Sequence, residues 1–362
     1  MTVLRRLAYT SLTLAFVQIV FGAIVRITGS GMGCGDHWPK CNGKWFPAHD
    51  RPDLAIEITH RHIAAALVLV IIVMLVTAFA RRTTPGVGGR GGVLRPMGLA
   101  AGLVVTAAVF GGVTVKMGLN PYIIVTHLSI AMGLLAVLVV TVVRAGGFGI
   151  RALGGGIEGA FTGATAPQRP YEGPLDPTTY QRTYRATRVA TAMAFLTLVL
   201  GALTANVAGA NISCQGFPWC RTIAVHGMPL GIQMTHRILA FLLFFHVFGM
   251  AMAGRKRQIS PVLKRATWIA FGTILLQIIV ASMLVELHLP AVWRSLHQAT
   301  GTLVWLAIVT LTVLARYAML GGWGGAAGAE GAFTGALRSR SPSEGPLSAS
   351  RDQPHPRRPD LA

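Results

Sequence analysis

The chain has 362 residues, 52% of them hydrophobic and only 12% charged, which excludes an ordinary soluble domain and points to several membrane spans. Its formal charge of +20 would suit nucleic acid, but 23 of the 32 Lys and Arg lie in the N-terminus, in the loops after the second, fourth and sixth apolar runs, and in the C-terminal tail. That is the positive-inside pattern, so nucleic acid is excluded, the lipid bilayer is the partner, and both termini are expected in the cytoplasm.

A membrane-spanning helix needs roughly 20 mostly apolar residues. Eight runs qualify: Leu7–Ile27, Ile63–Ala80, Met97–Val115, Ile123–Val143, Val189–Ala210, Met234–Ala253, Ala266–Val285 and Leu296–Ala315. The expected fold is an all-α membrane protein, because backbone exposed to lipid must satisfy its hydrogen bonds within its own segment. The first run is read as a span rather than a cleaved signal peptide: it is long, it is closed by Arg26, and no small-residue cleavage site follows.

The first span leads into GAIVRITGSGMGCGDHWPKCNG with Cys34 and Cys41, and the fifth into GALTANVAGANISCQGFPWC with Cys214 and Cys220. Each outer loop has a Gly-Ala start, a small-residue patch, a first Cys, a Pro and Trp together, and a second Cys. Histidine follows the same plan, with His60 and His127 opening the second and fourth spans, and His236 and His297 the sixth and eighth. This is an internal repeat of four helices. With an even number of spans per unit, both copies enter the membrane the same way up, as two four-helix bundles about a pseudo-twofold axis along the membrane normal. The expected division is 1–144 for the first half, 145–188 for a Gly-, Pro-, Thr- and Arg-rich cytoplasmic linker, 189–320 for the second half and 321–362 for a disordered tail. EGAFTGA begins at both Glu158 and Glu330, and EGPL at both Glu172 and Glu344, which reads as a duplicated low-complexity insert.

Ligand-type residues at membrane depth are costly and face the protein interior. Four histidines in repeated register, paired across an apolar and Gly-rich cleft, are how a helical bundle holds haem iron. The other histidines, His37, His49, His62, His226, His246, His288 and His355, lack that register and are read as ordinary packing or surface residues. Arg61 and Arg237 directly follow ligand candidates and Arg26 ends the first span. Each suits either a haem propionate or the membrane interface. On the oxidising side each cysteine pair suits a disulfide closing a small lid. A metal site of Cys34, His37 and Cys41 competes with that reading, but the second loop offers nothing in place of the His. A redox role for the first pair stays open.

The halves disagree most clearly one helical turn before the first His of each: EITHRH carries Glu57 where QMTHR carries Gln233. Only the carboxylate can titrate, so Glu57 is the candidate to relay protons or to stabilise a cationic intermediate, and a salt bridge to Arg61 four residues on is the competing role.

At these residues the chain resembles the haem A synthase family, over about residues 7 to 318: RITGSGMGC with DHWPKCNG, EITHRH, the Thr126-His127 helix start, the second cysteine loop, QMTHR, and Leu296-His297-Gln298. The resemblance implies oxidation of a methyl group of haem O to a formyl group, by two hydroxylations and loss of water. His60 and His127 would hold the substrate haem O with Glu57 required for the reaction. His236 and His297 would hold a permanent haem b that passes electrons. Cys34 with Cys41, and Cys214 with Cys220, match the disulfide-bearing loops of the family's cysteine-containing branch. Haem O synthase is the implied substrate donor, and an electron donor in the membrane or in solution is also needed. A homo-oligomer is open. Two other classes are weighed against this: a dihaem b-type cytochrome that only transfers electrons gives no reason for Glu57, and a transporter would place its polar residues at the midplane rather than the outer rim.

Overall fold

In the computed structural model, residues 1–47, 51–148, 177–257 and 259–320 are described. Their secondary structure is almost entirely helical: α1 Thr2–Ile27, α2 Pro52–Ala80, α3 Leu94–Lys116, α4 Pro121–Arg144, α5 Pro177–Asn206, α6 Met228–Lys256, α7 Pro261–Glu286 and α8 Ala291–Met319. All eight are long and apolar enough to cross a membrane. A single 3₁₀ turn, Ser30–Met32, follows α1, and a short antiparallel pair, Cys214–Gln215 with Thr222–Ile223, follows α5.

Helix starts follow local chemistry. Pro occupies the first turn of α2, α4, α6 and α7, where its missing N–H leaves no hydrogen bond unmade. The Asn120 side chain caps the Tyr122 N–H at 3.0 Å, and the Ser260 hydroxyl caps that of Leu263 at 3.3 Å.

Several helices run past their apolar runs, and two of these extensions correct the sequence reading. Helix α2 starts at Pro52 rather than Ile63, so Glu57 and His60 lie within the helix, not at its mouth. The extension is amphipathic, burying Leu54, Glu57 and Ile58 on one face. Helix α5 starts at Pro177 rather than Val189, so the last part of the expected 145–188 linker is helical. Its buried residues Tyr180, Thr183, Thr187, Ala190 and Ala194 fall at helical spacing, while Arg182, Arg185 and Arg188 break the hydropathy signal. The rest of that linker from 149 to 176, the tail 321–362 with both copies of the low-complexity repeat, and His49 and His355 lie outside the described residues.

Helices α1 to α4 pack in a closed ring of four neighbours, and α5 to α8 do the same. The two sets meet reciprocally: α1 packs on α8, α5 packs on α4, and α4 packs on α8. The Trp305 indole of α8 donates to the Met132 carbonyl of α4 at 3.0 Å. The α3–α4 and α7–α8 turns are copies of one another. Gly118 and Leu119 hold φ of 60° each, and His288 and Leu289 hold 62° and 64°. Leu119 N–H closes on the Thr114 carbonyl at 3.0 Å as Leu289 N–H closes on that of Leu284 at 2.9 Å.

The fully buried core lies toward the ends of the helices away from the cysteine loops. Leu4, Ala8, Ile71, Met74, Met97, Leu135, Leu138, Leu263, Ile308 and Leu311 belong to it. In α8 the buried residues run from Thr302 to Tyr317, and none lies between Ala291 and Gly301. In α4 seven of the eight buried residues from Met132 onward are apolar, Thr141 being the exception, whereas the turns around His127 contribute only Val125. Fully buried side chains are therefore concentrated at one end of the bundle, and at the end that carries the histidines they are confined to places such as the cluster of Cys34, Cys41, Leu54 and Ile58 under the first lid. The opposite faces carry lipid-facing stripes such as Leu69, Ile72, Val76 and Phe79.

Candidate haem-binding sites

Each cysteine loop folds down as a lid. Cys34 and Cys41 form a disulfide, S–S 2.07 Å, and Cys214 and Cys220 form another, 1.96 Å. The Cys34–His37–Cys41 metal reading thus gives way to a disulfide, with His37 Nδ1 turned to the Cys34 carbonyl at 3.3 Å. Among the described residues no cluster of three or more His, Cys, Asp or Glu could hold a metal ion. The first lid seats its Trp38 ring on α3 at Gly112, where a Cβ would lie 2.8 Å from the indole.

Residues four apart on α2 share a face, and Glu57 and Arg61 both turn toward the lid. The Glu57 side chain, 4% exposed, accepts from the Cys34 N–H at 2.8 Å and from the Arg61 guanidinium at 2.5 Å. Arg61 also donates to the carbonyls of His37 at 3.0 Å, Pro39 at 3.1 Å and Lys40 at 3.3 Å. The second half repeats this with an amide. Gln233 Oε1 accepts from the Cys214 N–H at 2.6 Å, and its Nε2 donates to the Asn211 and Cys214 carbonyls at 3.3 Å each. Arg237 donates to the carbonyls of Gly216 at 2.7 Å and Cys214 at 2.9 Å. Glu57 and Gln233 therefore share one structural duty, holding the first lid cysteine, and differ in charge.

His60 lies around the helix from Glu57 and points into the first four-helix set. A Cβ at Gly22 of α1 would come 3.0 Å from its Cε1, and the Phe21 ring stacks on it with centroids 6.4 Å apart. Gln18 Nε2 is 3.2 Å from His60 Nε2. His127 of α4 faces Gly111 of α3, where a Cβ would stand 3.5 Å from its Cε1. In the second set His236 abuts Gly201 of α5, with a Cβ only 2.8 Å from its Cε1, and its Nδ1 donates to the Thr197 carbonyl at 2.9 Å. Gln277 of α7 places its Nε2 3.1 Å and 3.3 Å from the ring nitrogens of His297, and its Oε1 accepts from the Thr300 hydroxyl. The imidazoles in each set are near enough for charge on one to act on the other: His60 with His127, and His236 with His297.

These residues fit haem. Nδ1 of His60 and of His127 is buried without a hydrogen-bond partner, so neither ring is anchored by the protein through that atom, an unmet polar group of a kind that interiors seldom carry. In each set a glycine removes the one Cβ that would push a ligand imidazole aside. His236 has its Nδ1–H held by a carbonyl, the anchoring typical of a metal-bound imidazole, which leaves Nε2 for iron.

Of the three arginines singled out by position, Arg61 and Arg237 are engaged with the lids. Arg26 instead donates to the Ala205 carbonyl of α5 at 3.2 Å, tying the two sets together. Arg294 of α8, which sequence reasoning passed over, lies close enough for its charge to act on Arg26, and its Nε is buried without a partner. Gln18, Gln277 and Thr197 were also missed. A glutamine inside an apolar run was the available signal for the first two, whereas Thr197 contributes only its backbone. The histidines without register are used locally: His246 Nε2 meets the Ala186 carbonyl at 3.0 Å, and His62 Nε2 that of Trp45 at 3.2 Å.

The chain is similar over 283 residues to the heme A synthase of Geobacillus kaustophilus, at 26% identity, covering 76% of this chain and 80% of that protein. It is similar over 275 residues to that of Macrococcus caseolyticus, at 26% identity, covering 75% and 82%. A heme A synthase of Staphylococcus aureus matches over 237 residues at 26% identity, covering 65% and 69%. The family model described as "Cytochrome oxidase assembly protein" matches residues 5–309, and with that span of helices, lids and paired histidines the chain belongs to this family.

Proposed function

We propose that this membrane protein is a haem A synthase, which oxidises the ring methyl of haem O to the formyl group of haem A. The observation that carries the reading is the doubled site: two histidine pairs, with a glycine against His60, His127 and His236, each pair accompanied by a disulfide lid, with a carboxylate on the lid latch of the first and an amide on that of the second. In this reading His60 and His127 grip the substrate haem O, and His236 and His297 grip a resident haem b. A b-type haem held there would supply one-electron transfer, linking the substrate site to an unidentified membrane or soluble redox partner. The pseudo-twofold relation between the sets is supported by their reciprocal packing and by the Arg26–Ala205 contact, which joins counterpart positions when Gly22 is matched to Gly201.

The chain's own residues then have definite tasks. The lids exclude bulk water from the imidazoles, and Arg61 and Arg237 hold the lids closed. Arg26 and Arg294, two positive charges in contact with no described carboxylate, suit the haem propionates. Converting methyl to formyl takes oxygen from water and releases protons with each pair of electrons removed. Glu57, one turn from His60 and tied to the lid, is the group placed to accept them. The lids face the outside, the termini face the cytoplasm, and haem O arrives from the haem O synthase within the bilayer.

Pigment extraction after co-expression with a haem O synthase tests this. Formyl haem in the extract, absent when Glu57 is replaced, is the expected result. Extracts containing only haem b and unchanged haem O would overturn the reading in favour of an electron-transfer cytochrome.

A further inference from the structure

The two sets hold their α2 and α6 histidines differently. Matching Gly22 to Gly201 places Gln18 of α1 opposite Thr197 of α5. In the second set the Thr197 carbonyl takes the Nδ1–H of His236 at 2.9 Å, and the Thr197 hydroxyl is spent on the Met193 carbonyl at 2.8 Å. A carbonyl only accepts, so Nδ1 bears the proton and Nε2 presents a free lone pair. In the first set the same backbone position makes no such bond. His60 Nδ1 is buried and unpartnered, and Nε2 is occupied by the Gln18 amide at 3.2 Å. Whichever way that amide is turned, it satisfies the nitrogen that an iron would need. Gln18 Oε1 is itself buried with no partner, so the amide is held in place by His60 alone. The second set also has an amide beside an imidazole, but on α7 rather than α5: Gln277 meets His297, and it is pinned by the Thr300 hydroxyl.

We propose that Gln18 is a positioning residue that competes with iron for His60 Nε2 and so makes ligation in the first set reversible. A substrate must be released as product, whereas a resident cofactor must stay. The anchored His236 suits retention, and the unanchored, amide-capped His60 suits exchange. The inference rests on the reading that the first set binds the substrate haem through His60, and its test separates the two.

The test is haem transfer from the intact protein, loaded with haem B in both sets, to excess apomyoglobin, with the low-spin EPR signal recorded in parallel. Two release phases are expected, and His60→Ala should abolish the faster one only. Gln18→Met and Gln18→Thr should each slow the fast phase by about threefold to tenfold, the effect of deleting one competing neutral hydrogen bond. They should also raise the low-spin fraction of the first-set haem and leave the slow phase unchanged. Fast-phase release that is unchanged or quicker in both variants overturns the role given to Gln18 while leaving the substrate-site reading intact. If His60→Ala leaves both phases as they were, the substrate-site reading itself fails. Using two replacements of different volume guards against a packing defect in either.

Discussion

Replacing Glu57 by Gln separates two roles that share one side chain. The structure specifies what is kept: Gln233 shows that an amide at this position accepts the N–H of the first lid cysteine, at 2.6 Å against 2.8 Å for Glu57. What is lost is the charge-assisted bond to Arg61, whose side chain is only 14% exposed. Charge-assisted bonds contribute about 1.5–3 kcal/mol and neutral ones about 0.5–1.5 kcal/mol. Arg61 retains its three lid carbonyls, so the net loss in lid closure should be about 1–2 kcal/mol, or roughly 5–30-fold. Removing a positioned proton acceptor should cost more, about 100- to 10,000-fold. The assay is haem A formed per mole of protein, measured by chromatography of extracted pigment, alongside the absorption spectrum of bound haem. We expect a folded, haem-loaded variant whose product falls by more than 100-fold. A fall within the 5–30-fold range would reduce Glu57 to a lid latch, and formation of haem A at the parent rate would refute the division of labour between the halves.

Three further perturbations follow from the geometry. His236→Ala should remove the b-type spectrum of the second set, and full retention of that spectrum would remove this ligand assignment. Gly201→Ala brings a Cβ to 2.8 Å from the His236 ring, and Gly22→Ala to 3.0 Å from His60; each should weaken haem binding in its own set at least tenfold in a titration, and equal loss in both sets from either variant would contradict the two-site arrangement. Replacing Cys34 and Cys41 together by Ser should lower stability by about 2–4 kcal/mol, read as a drop in Tm, with the His236-dependent spectrum preserved because the second lid is independently closed. Loss of that spectrum would show the lids to be coupled.

Much of this molecule is legible in its sequence, for a physical reason. Lipid leaves the backbone only its own segment for hydrogen bonding, so runs such as Met97–Val115 announce helices directly. The four-helix repeat, the register of His60, His127, His236 and His297, and the placing of two cysteines in each outer loop are patterns of spacing, and spacing survives in a one-dimensional text. The helix starts at Pro52 and Pro177 were lost because there the helix leaves the apolar phase and shows only as an amphipathic stripe broken by arginines.

What the tertiary structure alone decided is which atoms meet. The bond from Cys34 to Glu57 and that from Arg26 to Ala205 each join residues far apart in sequence, through helix packing that no local pattern encodes. The same holds for Arg61 and Arg237: their place beside the histidines was plain from the sequence, but reaching the lid carbonyls depends on how each disulfide loop folds down. Gln18 looked like any polar residue in an apolar run until α1 and α2 were set side by side and its amide fell on the imidazole nitrogen of His60. Periodicity sets the face a side chain occupies, and only the packing of neighbouring helices sets what that face confronts.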